Sequence, residues 1–185
     1  ALGSNGVIAS NCEYKFDSSG YLSNTEIENS TIEALNGTTI GMSFNNKTGN
    51  FIFSNVVFKH YTALKNHNNF YSGLFYKCDF QSGVETALVV DGTGETITDD
   101  NHVKFIDCRF NNIGVQFGKY SPHAYSVGKS LLTVENCEFN FTEKTQQIFY
   151  AYSQANNGSK VIFKNCTFNN WHDNMYAYIS YGSLN

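Results

Sequence analysis

One group of acidic residues in this chain could do acid–base or metal chemistry. Two carboxyl groups about 5–9.5 Å apart can hydrolyse a glycosidic bond, and several carboxylates on one loop can bind calcium. The group consists of Asp91, Glu95, Asp99 and Asp100. Gly and Thr residues between them indicate a surface loop, so we favour a solvated acidic loop. Asp91, Asp99 and Asp100 are kept as catalytic candidates and all four as a calcium candidate, while no catalytic residue, metal or cofactor is assigned.

The histidines form neither a metal motif nor a nucleophile motif. They are spread along the chain without His-Glu-x-x-His spacing, at His60, His67, His102, His123 and His172. No nucleophile-elbow sequence accompanies them, which a Ser-His-Asp hydrolase would need. We expect them in surface loops and turns.

Aromatic residues with polar tips gather near the C-terminal end. They are Tyr150, Tyr152, Trp171, Tyr176 and Tyr178. Alternation along a strand places Tyr150 with Tyr152 on one face, and Tyr176 with Tyr178 on one face. If these faces are outward, the rings suit sugar rings or a partner subunit. If they are inward, the rings are core aromatics, and the sequence leaves both interpretations open.

The cysteines mark a repeat. All five occupy one position of the pattern apolar-x-apolar-x-Asn-Cys-x-aromatic. Ser30 and Val56 hold that position in the two copies without cysteine. A repeat of roughly 20–50 residues indicates a solenoid, because one copy cannot bury its own apolar face. The copies recur at steps of 18 to 30 residues and comprise Val7–Tyr14, Thr25–Ile32, Phe51–Phe58, Gly73–Phe80, Val103–Phe110, Leu132–Phe139 and Val161–Phe168.

Each copy predicts two short strands joined by a sharp turn at the Asn position. Phe105 and Cys108 are three residues apart, so a straight strand would place them on opposite faces. A bend at Asp107 restores one continuous inward face. Asn and Asp suit such a bend because they tolerate the left-handed conformation. Stacked copies then align cysteines, aromatics and asparagines in separate columns.

The Asn turn and the Cys-x-Phe that follows it resemble the right-handed parallel β-helix family of pectate lyases, polygalacturonases and phage tailspikes. The resemblance covers nearly the whole chain and implies an all-β, single-stranded right-handed parallel β-helix of about seven coils. It implies an Asn ladder in the turn and internal Cys and Phe stacks. We expect one domain over residues 1–185, and interruptions of the ladder at Lys77 and Asp107.

In that family a third strand completes each coil and carries the acidic residues of the enzymes. We predict third strands, almost free of acidic residues, at Thr39–Phe44, Thr86–Val90, Ile113–Phe117, Gln147–Ala151 and Met175–Ile179. Gly, Asn, Ser and Asp predict the loops that lead to the next repeat, at Asn45–Asn50, Lys65–Ser72, Asp91–His102, Gly118–Ser130 and Tyr152–Lys160.

The composition excludes some partners. The chain has 12 Lys and Arg residues and a net charge of −4. Non-specific nucleic-acid binding needs clustered cations, so we expect no nucleic-acid partner. No run of 18 apolar residues occurs, so we predict no membrane span. We expect free, buried thiols, because in-register parallel side chains lack disulfide geometry and a straight file cannot supply the tetrahedral ligands of zinc.

We therefore expect a structural and receptor-binding module of a phage tailspike or tail fibre, which contacts host cell-surface glycan. It would be extracellular or on the virion surface. Such tailspikes are typically homotrimers, and neighbouring domains or chains would cover the ends of the helix. Two alternatives are an extracellular polysaccharide lyase or hydrolase, and a bacterial cell-surface adhesin domain.

Overall fold

Each repeat forms one coil of a parallel β-helix in the computed structural model of the chain. The structure describes residues 7–16, 20–22, 25–35, 40–43, 50–59, 64–67, 72–81, 87–90, 101–111, 114–117, 130–141, 149–152, 160–170 and 177–180. Within these ranges all the regular elements are strands, apart from a single 3₁₀ residue at Leu35. The right-handed winding stays a prediction.

Three kinds of strand make a coil. The first limb precedes the turn and is formed by β1 (Val7–Ser10), the start of β4 (Thr25–Ala34), the start of β6 (Asn50–Lys59), β8 (Ser72–Tyr76), β11 (Asn101–Ile106), β14 (Ser130–Glu135) and β17 (Lys160–Lys164). The second limb follows the turn and is formed by β2 (Glu13–Phe16), the ends of β4 and β6, β9 (Asp79–Phe80), β12 (Arg109–Asn111), β15 (Glu138–Asn140) and β18 (Thr167–Asn169). The third strands are β3 (Gly20–Leu22), β5 (Ile40–Ser43), β7 (Leu64–His67), β10 (Ala87–Val90), β13 (Gly114–Phe117), β16 (Phe149–Tyr152) and β19 (Ala177–Ser180).

Every pairing between coils is parallel, and the repeat sets the register. The two limbs belong to one 12-stranded sheet, which β4 and β6 cross without a break, and the third strands form a separate sheet of seven. Val103 pairs with Leu132, and Phe110 pairs with Phe139. Equivalent repeat positions therefore lie one above another over seven coils of the described chain.

Phenylalanine rings fill the interior between the limbs. The first-limb stack of Phe53, Phe75 and Phe105 has ring centroids 4.7–5.1 Å apart. The second-limb stack runs at 4.5–4.9 Å with nearly parallel rings through Phe58, Phe80, Phe110, Phe139 and Phe168. Edge contacts, such as that between Phe105 and Phe110 at 5.5 Å, join the two stacks. Offset stacked and edge-to-face pairs are both favoured by the charge distribution of the rings.

The turn position is left-handed in all seven coils. Its φ angles lie between 49° and 57°, at Asn11, Asn29, Asn55, Lys77, Asp107, Asn136 and Asn165. Such φ values are costly for residues other than Gly, and Asn and Asp bear them best. The backbone at the turn is also hydrogen-bonded to the next coil, since the N–H of Asn136 donates to the Lys164 carbonyl at 2.9 Å.

The side-chain ladder at the turn corrects one prediction. Asn136 donates to Asp107 at 3.2 Å, and Asn165 donates to Asn136 at 3.3 Å. Asp107 therefore continues the ladder, because a carboxylate accepts as well as an amide oxygen does. The ladder breaks at Lys77, whose side chain is exposed and whose ammonium lies 5.0 Å from the Tyr76 ring centre. The ladder side chains are exposed and not buried.

The third strands begin and end within two residues of the predicted ones, and two were missed. β3 was not predicted, and β7 includes Lys65–His67, which the sequence assigned to a loop. β7 reads Leu-Lys-Asn-His, so its polar residues resemble a loop when the pairing with β5 is not known. The parts of the predicted loops at 45–49, 68–71, 91–100, 118–129 and 153–159 lie outside the described residues.

Candidate functional site: the tyrosine column of the third sheet

The seven-stranded sheet brings two of the predicted tyrosines together. Tyr150 of β16 pairs in register with Tyr178 of β19, and Tyr152 pairs with Ser180. Tyr150 also pairs with Gln116 of β13 on its other side. Because parallel strands are about 4.8 Å apart, Tyr150 and Tyr178 are nearest neighbours across the sheet. They are 28 residues apart, close to the 29-residue step of the last two repeats, so the stacking of coils brings them together.

The column that contains them crosses the whole sheet. We call it the tyrosine column, and its members are Tyr21, Gly41, Lys65, Val89, Gln116, Tyr150 and Tyr178. Two tyrosines are adjacent only at its C-terminal end. Tyr152 and Ser180 lie two residues further on and share the same face of the sheet, since successive residues of a strand alternate between faces.

The columns on either side of it are almost entirely apolar. One is Gly20, Ile40, Leu64, Leu88, Val115, Phe149 and Ala177, and the other is Leu22, Met42, Asn66, Val90, Phe117, Ala151 and Ile179. Strand alternation places both on the face opposite the tyrosine column. A sheet with one apolar and one mixed face turns the apolar face to the core. The residue types therefore predict that the tyrosine column lies on the outer face.

The remaining predicted site residues stay predictions. Trp171, Tyr176 and the acidic group Asp91, Glu95, Asp99 and Asp100 lie outside the described residues. The histidines were expected in loops and turns, but His67 and His102 lie in strands β7 and β11, on different sheets. The other three, at positions 60, 123 and 172, lie outside the described residues. Within the described ranges, no three or more His, Cys, Asp or Glu residues gather where they could hold a metal ion.

A second ladder, on the second limbs, was not predicted. Asn169 donates to Asn140 at 2.8 Å, and Asn140 donates to Asn111 at 3.2 Å. Asn111 and Gln81 both donate to the carboxylate of Asp79, at 2.8 and 3.0 Å. The signal was present as a Cys-x-Phe-Asn sequence after Cys108, Cys137 and Cys166. This ladder is half-buried, and its hydrogen bonds join neighbouring coils, which they stabilise.

The five thiols are free, as predicted, but they are not equally buried. Cys78, Cys108 and Cys137 are at most 2% exposed, whereas Cys12 and Cys166 are half-buried. These two lie in the first and last coils of the described chain, where a neighbouring coil covers only one side. The pKa of the Cys108 thiol is raised, and burial is the largest cause. The neighbouring Cys108 thiol, and then burial, raise the pKa of Cys137 to about 12, so these thiols are protonated at neutral pH.

No helix in the described ranges has the length and apolar character needed to cross a membrane. Comparisons of the chain with protein-family models, with curated proteins and with solved structures find no match.

Proposed function

We propose that this chain is a rigid β-helical module that binds cell-surface glycan through the C-terminal end of the tyrosine column. The observation that carries the proposal is the in-register pairing of Tyr150 with Tyr178, and strand alternation predicts that both belong to the face opposite the apolar columns. This arrangement suits the receptor-binding part of a phage tailspike or tail fibre, with a place on the virion surface or outside the cell. A trimer follows from the same proposal and is tested by the mass in solution.

Two adjacent tyrosines have the chemistry that a sugar needs. Each ring offers a flat apolar face for the C–H groups of a pyranose, and each hydroxyl can donate and accept hydrogen bonds. Gln116 follows Tyr150 in the same column and adds an amide that can bond sugar hydroxyls in both directions. The coil spacing of about 4.8 Å is close to the width of one sugar ring, so the platform spans one or two residues of a polysaccharide.

Binding is favoured over hydrolysis because the third sheet carries no acid. None of the seven third strands in the described chain contains Asp or Glu. Glycoside hydrolysis needs a proton donor and a second carboxylate placed about the scissile bond. Tyrosines and an amide can hold a sugar, but they cannot replace that pair at neutral pH. The acidic group at 91–100 is the remaining enzymatic candidate, so the experiment must include it.

The test is a binding measurement with defined probes. The chain is screened on an array of bacterial capsular polysaccharides and lipopolysaccharide O-antigens, and the strongest hit is titrated by calorimetry. We expect Tyr150→Ala with Tyr178→Ala to weaken binding by about tenfold or more, because loss of two ring contacts of about 1 kcal/mol each exceeds the 1.4 kcal/mol that corresponds to tenfold.

A matched control lies in the same column. Tyr21 pairs with Gly41 and therefore has no tyrosine neighbour in the described sheet, so Tyr21→Ala should leave the affinity within about twofold. Reducing ends and unsaturated products are followed in parallel. No binding to any glycan, or equal losses for both variants, would contradict the proposal. Cleavage that disappears in Asp99→Asn with Asp100→Asn would establish the enzyme alternative.

A further inference from the structure

Four cysteines form a continuous file through successive coils. They are Cys78, Cys108, Cys137 and Cys166. The coils are directly hydrogen-bonded at these positions, because the Cys78, Cys108 and Cys137 carbonyls accept from the N–H of Arg109, Glu138 and Thr167, each at 2.9 Å. Neighbouring cysteines are therefore separated by one strand spacing, about 4.8 Å. Cys12 stands apart, since Ser30 and Val56 occupy the two coils between it and Cys78.

The thiols of the file share one orientation. Each sulfur lies near the carbonyl two residues earlier in its own coil and near a first-limb carbonyl of the preceding coil. For Cys108 these are Ile106 at 3.4 Å and Phe75 at 3.3 Å. Cys78, Cys137 and Cys166 make the same two kinds of contact at 3.3–3.5 Å. Equal orientation means that the sulfur spacing follows the coil spacing along the whole file.

That spacing suits one kind of chemistry. A disulfide needs sulfurs about 2.05 Å apart, so oxidation would require the stacked coils to distort. A metal–thiolate bond is about 2.3 Å long, and twice that length, about 4.6 Å, is close to one strand spacing. An ion midway between two neighbouring thiols would therefore have two sulfur ligands in a straight line. Tetrahedral ions need more ligands, and the described residues offer no group of three or more.

We propose that neighbouring thiols of this file form linear, two-coordinate sites for a soft d¹⁰ cation, with mercuric ion as the best fit. Thiolates select soft metals. Two S–H bonds break and two Hg–S bonds form, and both protons pass to solvent, so no oxidation or reduction occurs. The product of Hg²⁺ with two thiolates is neutral. Ag⁺ or Cu⁺ would leave one negative charge in an apolar core, which burial opposes.

The file has a defined capacity. Among the described residues Cys166 is half-buried, while the three thiols behind it are buried. Four thiols taken in neighbouring pairs, Cys137 with Cys166 and Cys78 with Cys108, hold two ions. This site is independent of the proposed glycan binding, because it lies between the limbs and not on the third sheet.

The test uses Cys12→Ser protein, reduced and free of oxygen, titrated with mercuric chloride. This background removes the one thiol outside the file, and Ser30 shows that serine fits the column. We expect two Hg²⁺ per chain, two protons released for each ion, and X-ray absorption spectra with two sulfur neighbours at about 2.3 Å. The protein should also melt at a higher temperature, because the ion binds the folded state.

The matched variant adds Cys137→Val to the same background. Val56 already occupies this column in a fully buried position, so the fold tolerates valine there, and circular dichroism checks this. The variant leaves Cys166 without a thiol neighbour and keeps Cys78 with Cys108, so it should bind one two-coordinate ion per chain. One ion per thiol, three or four sulfur ligands, binding only after urea unfolding, or two ions in the valine variant would each overturn the proposal.

Discussion

Phe110→Ala should strongly destabilise the protein. Phe110 is completely buried. Its ring stacks between those of Phe80 and Phe139, at 4.9 and 4.5 Å, and receives the edge of Phe105 at 5.5 Å. The substitution therefore breaks the second-limb stack near its middle, and rings above and below hold the cavity open.

The magnitude follows from burial and from the stack. Removal of a buried phenylalanine costs about 3–5 kcal/mol, including the cavity that remains. Each aromatic pair adds about 0.5–1.5 kcal/mol beyond its buried area, and Phe110 loses three such pairs. We therefore expect the upper part of the range, about 4–5 kcal/mol. Phe163→Ala is the control, because Phe163 is 37% exposed in the last described coil and should cost about half as much.

Urea unfolding followed by circular dichroism measures both variants. The free energy of unfolding is extrapolated to water with the slope checked for each protein. A Phe110→Ala loss below about 2 kcal/mol, or one no larger than that of Phe163→Ala, would refute a continuous aromatic stack in the interior. Tyrosine-column variants provide a further reference, since their sites are predicted to lie outside that interior.

Two further predictions concern the turn and the thiols. Asn136→Ala should cost about 1 kcal/mol by urea unfolding, because Asn136 has a φ of 54° that alanine bears poorly; Asn136→Gly should cost less, and equal losses would point to the exposed ladder bonds instead. The free energy of unfolding should fall above about pH 8.5. In the unfolded chain the Cys137 thiol loses its proton at about that pH, whereas in the folded chain its pKa is raised to about 12. At about pH 10 this difference lowers the free energy of unfolding by about 2 kcal/mol. In Cys137→Val the urea midpoint should therefore decrease less between about pH 8 and 10 than it does in the unmodified chain.

The limbs and the turn could be predicted from the sequence because they depend on local chemistry. The spacing of Phe105, Asp107 and Cys108 requires a bend, and Asp107 has the expected positive φ of 55°. The same pattern recurs in each coil, so seven weak local signals support one another. The one error at the turn was to treat Asp107 as a gap in the ladder, although its carboxylate accepts from Asn136.

The third strands were harder, since their residue types depend on which face is covered. β3 and β7 are short, and β7 carries Lys65, Asn66 and His67. Nothing within four residues marks such a segment as a strand. It is a strand because it pairs in register with β5, through Ile40 and Leu64, and this pairing joins two different coils.

The sequence by itself determined the solenoid, its seven repeats, the inward cysteine and phenylalanine columns and the left-handed turn, because each follows from alternation and from the conformational preferences of single residues. Only the tertiary structure decided which distant residues became neighbours. Loops of unequal length separate the coils, so the pairing of Tyr150 with Tyr178 and with Gln116 depends on how the third strands align across their sheet. Register is set by hydrogen bonds between coils, and those bonds have no counterpart in the order of residues along the chain.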